Sequence, residues 1–183
     1  MKNIAGNLRQ FKEKSILLLG HKNADPDSVC SIVALSLGLK QLGYEVRRGV
    51  IESASKISQK ILNEVGESVE VNPGLNVDLI VMLDMSTEGQ LSTFAEKVFS
   101  SNAKKMIIDH HTVHDYTLKA DFSFIDEESS STVELVYDLL KELKVKIDEK
   151  IAKAILTWLG RLNLSYKFIT SRLHVLLYVY SPK

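Results

Sequence analysis

The chain has 183 residues, and 45% of them are hydrophobic, which is enough for one substantial core, so a single domain is expected. Lys and Arg together number 23, as do Asp and Glu, so the charge does not indicate tight binding to long nucleic acid. The single cysteine, Cys30, excludes a disulfide within this sequence and is typical of a reducing compartment. The sequence contains neither an apolar signal core nor an uninterrupted membrane-spanning stretch, so we expect a cytoplasmic protein that does not enter membranes.

Apolar runs alternate along the chain with stretches of helical periodicity, which is typical of repeated βα units. Strands are predicted at 15–20, 45–51, 78–84, 105–109 and 122–125. Helices are predicted at 28–42, 55–65, 91–99, 131–143 and 148–162. The expected fold class is therefore α/β, doubly wound, with a mostly parallel sheet and helices on both faces.

Polar side chains cluster at the carboxyl ends of three of these predicted strands. In chain order they are His21, Asp25, Asp27, Asp84, Asp109, His110 and His111. Because the ligand crevice of an open parallel sheet lies outside the carboxyl ends of its strands, we expect the three clusters to converge. Oxygen and imidazole donors without thiolate suit Mn²⁺, Mg²⁺ or a related cation better than a structural zinc.

Each of these residues also has a purely structural interpretation. A lone aspartate before a helix is usually a cap, and Asp27 or Ser28 would be expected to cap the helix at 28–42. A lone histidine usually lies on the surface, as we expect for His114 and His174. Joint placement at three strand ends favours the metal interpretation for the clustered residues.

The clustered residues resemble the motifs of the DHH phosphoesterase family. Residues 21–28 resemble the first motif, 84–86 the second and 109–111 the third, while 124–132 resembles the family stretch before the next helix. The match covers residues 15–157. The family includes RecJ-like exonucleases, oligoribonucleases, cyclic-dinucleotide phosphodiesterases, exopolyphosphatases and manganese-dependent inorganic pyrophosphatases.

The resemblance implies a ligand set for two ions. His21, Asp25 and Asp84 would hold one ion. Asp27, Asp84 and His110 would hold the other, so that Asp84 bridges the pair. Mn²⁺ is the expected cofactor, with Mg²⁺ or Co²⁺ as alternatives.

The resemblance also implies a reaction. Asp84 and His111 would be the catalytic residues, with His111 contacting phosphate. Ser130 and Ser131 are further candidates for substrate binding at a helix N-terminus, although capping that helix is the expected role of this serine cluster. The expected activity is metal-dependent hydrolysis of a phosphodiester or phosphoanhydride in a short oligonucleotide, a cyclic dinucleotide or another small phosphorylated substrate.

The chain departs from the family pattern after residue 157. A ligand aspartate is expected there, and Asn163 is the nearest polar substitute. We therefore expect one DHH-type domain over 1–183, with a divergent or truncated tail at 158–183 and without the usual C-terminal substrate domain. Residues 166–181 are alternatively interpreted as an added edge strand or a homodimer contact. The alternative function is a degenerate domain that binds metal or nucleotide, or acts as a partner subunit, with little turnover.

Overall fold

The computed structural model describes residues 1–113 and 119–162, with side chains described as far as residue 158. The predictions made for His114, Asn163, His174 and the rest of the tail lie outside these residues.

Six strands form one sheet, and every neighbouring pair in it is parallel. The strands are β1 (Ser15–Ala24), β2 (Glu45–Ala54), β3 (Glu70–Val71), β4 (Leu79–Leu83), β5 (Lys104–Asp109) and β6 (Phe122–Ile125). Their order across the sheet is β3-β2-β1-β4-β5-β6. The chain therefore builds outward from β1 through β2 and β3, then returns to the other side of β1 with β4. The predicted parallel sheet is confirmed, and its direction of winding reverses between β1 and β4.

Helices cover both faces of the sheet. They are α1 (Lys2–Arg9), α2 (Pro26–Gln41), α3 (Lys56–Val65), α4 (Glu88–Leu91), α5 (Ala95–Ser100), α6 (Thr132–Glu142) and α7 (Glu149–Leu162), with a 3₁₀ turn at Ser92–Phe94. One core contains Leu18 and Val81 together with buried residues of α1, α2, α3, α6 and α7. The other contains Leu17 and Met82 with buried residues of α4, the 3₁₀ turn and α5. Successive strand residues point to opposite faces, so a continuous apolar run such as 79–83 is buried on both sides.

The structure corrects several predicted boundaries. Strand β1 continues to Ala24, with register shifts after Gly20, so His21 lies in the irregular end of a strand instead of a turn. The predicted helix at 91–99 is two short helices joined by the 3₁₀ turn, and α1 and β3 were not predicted. Strand β3 has only two exposed residues, too few for an alternating pattern. Within the part of the chain that is described, none of the helices has the length and apolar character needed to span a membrane.

Candidate metal centre

The polar clusters lie together at the carboxyl edge of the sheet, around the point where its winding reverses. Asp25 and Asp27 follow β1, Asp84 follows β4, and His110 follows β5. These three strands are adjacent in the sheet, since β4 lies between β1 and β5. The topology therefore carries Asp25 and His110, which are 85 positions apart in sequence, to one crevice, as the strand pattern predicts.

Asp84 lies at the centre of this arrangement, and its two carboxylate oxygens face different histidines. Oδ2 is 3.8 Å from Nε2 of His21, whereas Oδ1 is 3.7 Å from Nε2 of His110. The residue is 1% exposed, and Oδ2 has no hydrogen-bond partner among the described residues. A buried carboxylate oxygen without a donor is costly unless a cation or a proton compensates it. Asp84 thus presents one oxygen toward each of two histidines, and a single cation or a pair of cations fits this arrangement.

The backbone of Asp84 is held in the left-handed region, with φ +62°. Such a conformation is uncommon for a residue other than glycine, and Asp tolerates it better than most. Two contacts maintain it: the Asp84 amide donates to the carbonyl of Ile108 at 3.1 Å, and Nε2 of Gln90 donates to the Asp84 carbonyl at 3.3 Å. The strained residue is therefore also the central residue of the cluster, as is common at functional sites.

Two histidines present Nε2 to the carboxylates because their Nδ1 atoms are anchored on backbone carbonyls. Nδ1 of His21 lies 2.8 Å from the Lys22 carbonyl, and Nδ1 of His110 lies 3.3 Å from the Ser129 carbonyl. A carbonyl only accepts, so Nδ1 donates in both and Nε2 is the nitrogen that carries the lone pair of the neutral ring. In His21 this Nε2 also accepts from the Asp25 amide at 3.4 Å. Metal-ligating histidines are usually oriented in this way.

The two aspartates of the first motif have different structural partners. Asp25, and neither Asp27 nor Ser28, is the N-cap of α2, since its Oδ1 accepts from the Ser28 amide at 3.1 Å. Asp27 instead accepts from the first two amides of α6, Thr132 at 2.8 Å and Val133 at 2.9 Å. The expected cap at Asp27 was wrong because its partner helix begins 105 residues later, which no local pattern indicates.

The third motif contributes an oriented histidine pair. Nδ1 of His111 donates to Oδ1 of Asp109 at 2.7 Å, and the Asp109 side chain is fully buried. The amide of His110 donates to the same oxygen at 2.8 Å, which fixes the start of the loop. The His111 side chain is half exposed, so its Nε2 is the ring nitrogen left for other contacts.

Burial and repulsion between carboxylates shape the electrostatics of the cluster. Burial, followed by repulsion from Asp27, Asp25 and Asp109, raises the pKa of Asp84 well above its usual range. Burial raises the pKa of Asp27 to about 7, although two backbone amides oppose the change. Burial and the neighbouring His111 lower the pKa of His110, which favours the neutral imidazole that can act as a ligand. A divalent cation fits this donor set.

Among the described residues, there are two groups of three in which every residue offers one possible ligand atom and the three atoms lie within 4.8 Å of one another. One is His21, Asp25 and Asp84, which coincides with the set expected for the first ion. The other is Asp84, His110 and His111. Nε2 of His110 also lies 3.5 Å from Oδ2 of Asp27, so this histidine faces both carboxylates expected around the second ion.

The two serines proposed to bind substrate differ in their hydrogen-bond partners. Both the amide and the hydroxyl of Ser130 donate to Oε2 of Glu134, at 3.2 and 2.9 Å. Ser131 is the N-cap residue of α6, but its buried hydroxyl makes no hydrogen bond to the described part of the chain. Because Asp27 already accepts from the first two amides of α6, this helix N-terminus is occupied by a carboxylate of the chain itself.

Sequence reasoning missed two residues that shape the site. Thr132 contacts both Asp27 and Asp84, and the Oε1 atom of Gln90 accepts from the amides of Ser86 and Thr87. The Thr-x-x-Gln spacing of a capping box was a readable signal for Gln90. No local signal indicates the role of Thr132, since its partners lie 105 and 48 residues away.

Proteins of similar sequence and structure share this architecture. An uncharacterised protein of Methanocaldococcus jannaschii is 33% identical over 152 residues, covering 81% of this chain and 45% of that protein. A probable manganese-dependent inorganic pyrophosphatase of Bacillus cereus is 24% identical over 147 residues, covering 79% and 46%. The chain thus spans about half the length of these curated relatives.

Solved structures show the same fold. An exopolyphosphatase-related protein from Bacteroides fragilis superposes with a TM-score of 0.79 at 20% identity, covering 97% of this chain and 56% of that one. Exonuclease RecJ bound to manganese superposes with a TM-score of 0.57 at 14% identity, covering 84% and 40%. The family model for the DHH family, N-terminal domain, matches residues 15–159. The chain therefore belongs to the DHH family.

Proposed function

We propose that this domain is a metal-dependent phosphoesterase with Mn²⁺ as its cofactor. The observation that carries the proposal is Asp84, a buried carboxylate whose oxygens face His21 on one side and His110 on the other, with Oδ2 lacking a donor among the described residues. The choice of metal is supported by two similar proteins, the probable manganese-dependent pyrophosphatase of Bacillus cereus and the exonuclease RecJ bound to manganese.

The proposed ligands divide into two sets that share Asp84. His21, Asp25 and Asp84 would hold one ion, and Asp27, Asp84 and His110 the other. Divalent ions held there would supply charge neutralisation at a phosphoryl group that undergoes in-line displacement. The backbone carbonyls of Lys22 and Ser129 keep the two imidazoles in the orientation that this binding needs.

His111 is proposed to contact the phosphoryl group. Its hydrogen bond to Asp109 raises the pKa of the imidazole, which burial opposes, so the ring tends to carry a positive charge. With Nδ1 engaged by Asp109, Nε2 is the atom that donates to a phosphoryl oxygen. Its role is to bind and orient an anionic group at the edge of the metal centre.

The charge around the site supports a small substrate. The chain has a formal net charge of zero, and Asp126, Glu127 and Glu128 follow β6 at the same edge of the sheet. Glu127 accepts from the amide of Val113 at 2.9 Å, which places one of these acidic residues beside the loop that follows the histidine pair. Non-specific affinity for long nucleic acid depends on Lys and Arg contacts to phosphate, so the proposed substrates are short oligonucleotides, cyclic dinucleotides or other small phosphorylated compounds.

The test is hydrolysis of bis-p-nitrophenyl phosphate with Mn²⁺ and with EDTA, followed by pApA, cyclic di-AMP, short RNA, polyphosphate and pyrophosphate. Activity that requires Mn²⁺ and is lost in Asp84→Asn is expected. Asp78→Asn is the matched control, because Asp78 precedes the same strand at its amino end, about 20 Å from Asp84 by strand rise. Mn²⁺ binding without turnover of any substrate would support the alternative, a domain that binds metal and acts without catalysis.

A further inference from the structure

One residue of α6 contacts both of the carboxylates assigned to the second ion. Thr132, which is fully buried, donates its amide to Oδ2 of Asp27 at 2.8 Å and its hydroxyl to Oδ1 of Asp84 at 2.9 Å. These carboxylates come from α2 and from the end of β4. A single residue therefore links two elements that pairing within the sheet does not hold together.

The hydroxyl contact determines how the Asp84 carboxylate is oriented. Because Thr132 donates to Oδ1, the carboxylate plane is fixed with Oδ2 toward His21 and Oδ1 toward His110. Without this donor, the Asp84 carboxylate could rotate about χ2, a torsion angle that takes a broad range of values in aspartate. The orientation that places one oxygen toward each histidine would then be one of several that the side chain adopts.

The amide contact determines where the Asp27 carboxylate lies. Asp27 Oδ1 accepts from the Val133 amide while Oδ2 accepts from the Thr132 amide, so both oxygens are held by the first turn of α6. This helix N-terminus also carries a partial positive charge that favours the carboxylate. Since α6 packs in the same core as α2, the contact fixes Asp27 from two elements at once.

We propose that Thr132 is a positioning residue that sets the relative placement of the Asp27 and Asp84 carboxylates for the second ion. The inference rests on the proposed function, because it assumes that these carboxylates bind metal. Removal of the Thr132 hydroxyl is expected to weaken Mn²⁺ binding at the second site by about 10- to 100-fold, the usual effect of a lost contact behind a metal ligand. The first site is expected to change less, since Asp84 is the one member of its ligand set that accepts from Thr132.

The experiment compares two pairs of proteins, and the members of each pair differ chiefly in the hydroxyl of residue 132. Thr132→Val is compared with the wild type, and Thr132→Ala is compared with Thr132→Ser. Ser36→Ala is the matched control, since Ser36 is a buried serine of α2 whose hydroxyl donates to the Val33 carbonyl and which lies nine residues beyond Asp27, about 13 Å by helix rise. Mn²⁺ binding is measured by calorimetry, the spacing of bound ions by Mn²⁺ EPR, and folding by thermal unfolding in EDTA.

In Thr132→Val and Thr132→Ala, the second ion is expected to bind more weakly and the EPR signal of a spin-coupled Mn²⁺ pair to be lost. In Thr132→Ser, both the binding and the signal are expected to recover. If only one of the two pairs folds, the comparison within that pair decides whether the hydroxyl positions the carboxylates. Equal Mn²⁺ binding across a folded pair would overturn the positioning role while leaving the proposed function intact, and equal losses in Thr132→Ser and Thr132→Ala would show that packing alone matters. Absence of Mn²⁺ binding in the wild type would instead overturn the proposed function, and the inference with it.

Discussion

Nδ1 of His111 donates a hydrogen bond of 2.7 Å to Oδ1 of Asp109, and this contact separates His111 from the other histidines of the cluster. His21 and His110 anchor Nδ1 on backbone carbonyls and direct Nε2 toward carboxylates. His111 instead uses a carboxylate as its anchor and is half exposed. With Nδ1 engaged by Asp109, Nε2 is left for contact with a group outside the protein, which is the role proposed for His111.

The substitution His111→Ala is therefore expected to reduce turnover and leave Mn²⁺ binding nearly unchanged. The loss of a positioned donor to a reacting oxygen typically lowers the rate by about 10²–10³-fold. Steady-state kinetics with bis-p-nitrophenyl phosphate and calorimetry with Mn²⁺ measure the two effects separately. A loss of Mn²⁺ affinity comparable to that of His110→Ala would show that His111 is a ligand instead.

A second prediction concerns the stability of the metal-free protein. Asp84→Asn removes a buried carboxylate that is costly among other carboxylates, whether it stays charged or takes up a proton, and Asn also tolerates the left-handed backbone found at this position. In EDTA the variant is expected to melt about 2–4 °C higher than the wild type, the shift that ~1 kcal/mol produces in a domain of this size. Thermal unfolding measured with and without Mn²⁺ checks this.

When Mn²⁺ is added, the wild type is expected to melt at a higher temperature than Asp84→Asn, because only the wild type is stabilised by binding the ion. Asp78→Asn, at the opposite edge of the sheet, serves as the control and is expected to keep the full Mn²⁺ response. A variant Asp84→Asn that melts lower than the wild type in EDTA would show that the carboxylate is stabilising without metal.

The pH dependence of the metal-free protein provides a third prediction. The pKa of Asp27 rises from its usual 3.8 to about 7 in the folded protein, so the folded state binds the proton more tightly than the unfolded state. Its contribution to stability is therefore complete below about pH 4 and is lost as the pH rises through 7. The raised pKa of Asp84 acts in the same direction.

In EDTA the melting temperature is expected to fall between pH 5 and 8, and saturating Mn²⁺ is expected to reverse the trend because the ion replaces the protons. Asp25 and Asp109 have partners in His21 and His111, and their pKa values are lowered. These two groups make stability rise with pH only below about pH 4, so they do not affect the fall expected between pH 5 and 8. A metal-free melting temperature that rises from pH 5 to 8 would contradict the assignment of protonated carboxylates to this cluster.

Much of the fold was predictable because the central strands β1, β4 and β5 are buried on both faces over most of their length and read as apolar runs. The convergence of the site followed from one rule about parallel sheets, applied to His21, Asp84 and His110. The cap at Asp25 had a readable signal that was missed, because Pro26 is favoured at the first position of a helix and marks the residue before it as the N-cap. The role of Thr132 was not predictable, because it depends on which amide meets which carboxylate after helices α2 and α6 have packed.

The most direct test of the account is calorimetric titration of Mn²⁺ into the metal-free wild type and into Asp84→Asn. The account predicts binding to the wild type and a loss of at least about 100-fold in affinity in the variant, because Asp84 is shared by both proposed ligand sets and its loss removes a charged ligand from each. Unchanged Mn²⁺ binding in a folded Asp84→Asn variant would contradict the central claim that Asp84 bridges a metal centre at the carboxyl edge of this sheet.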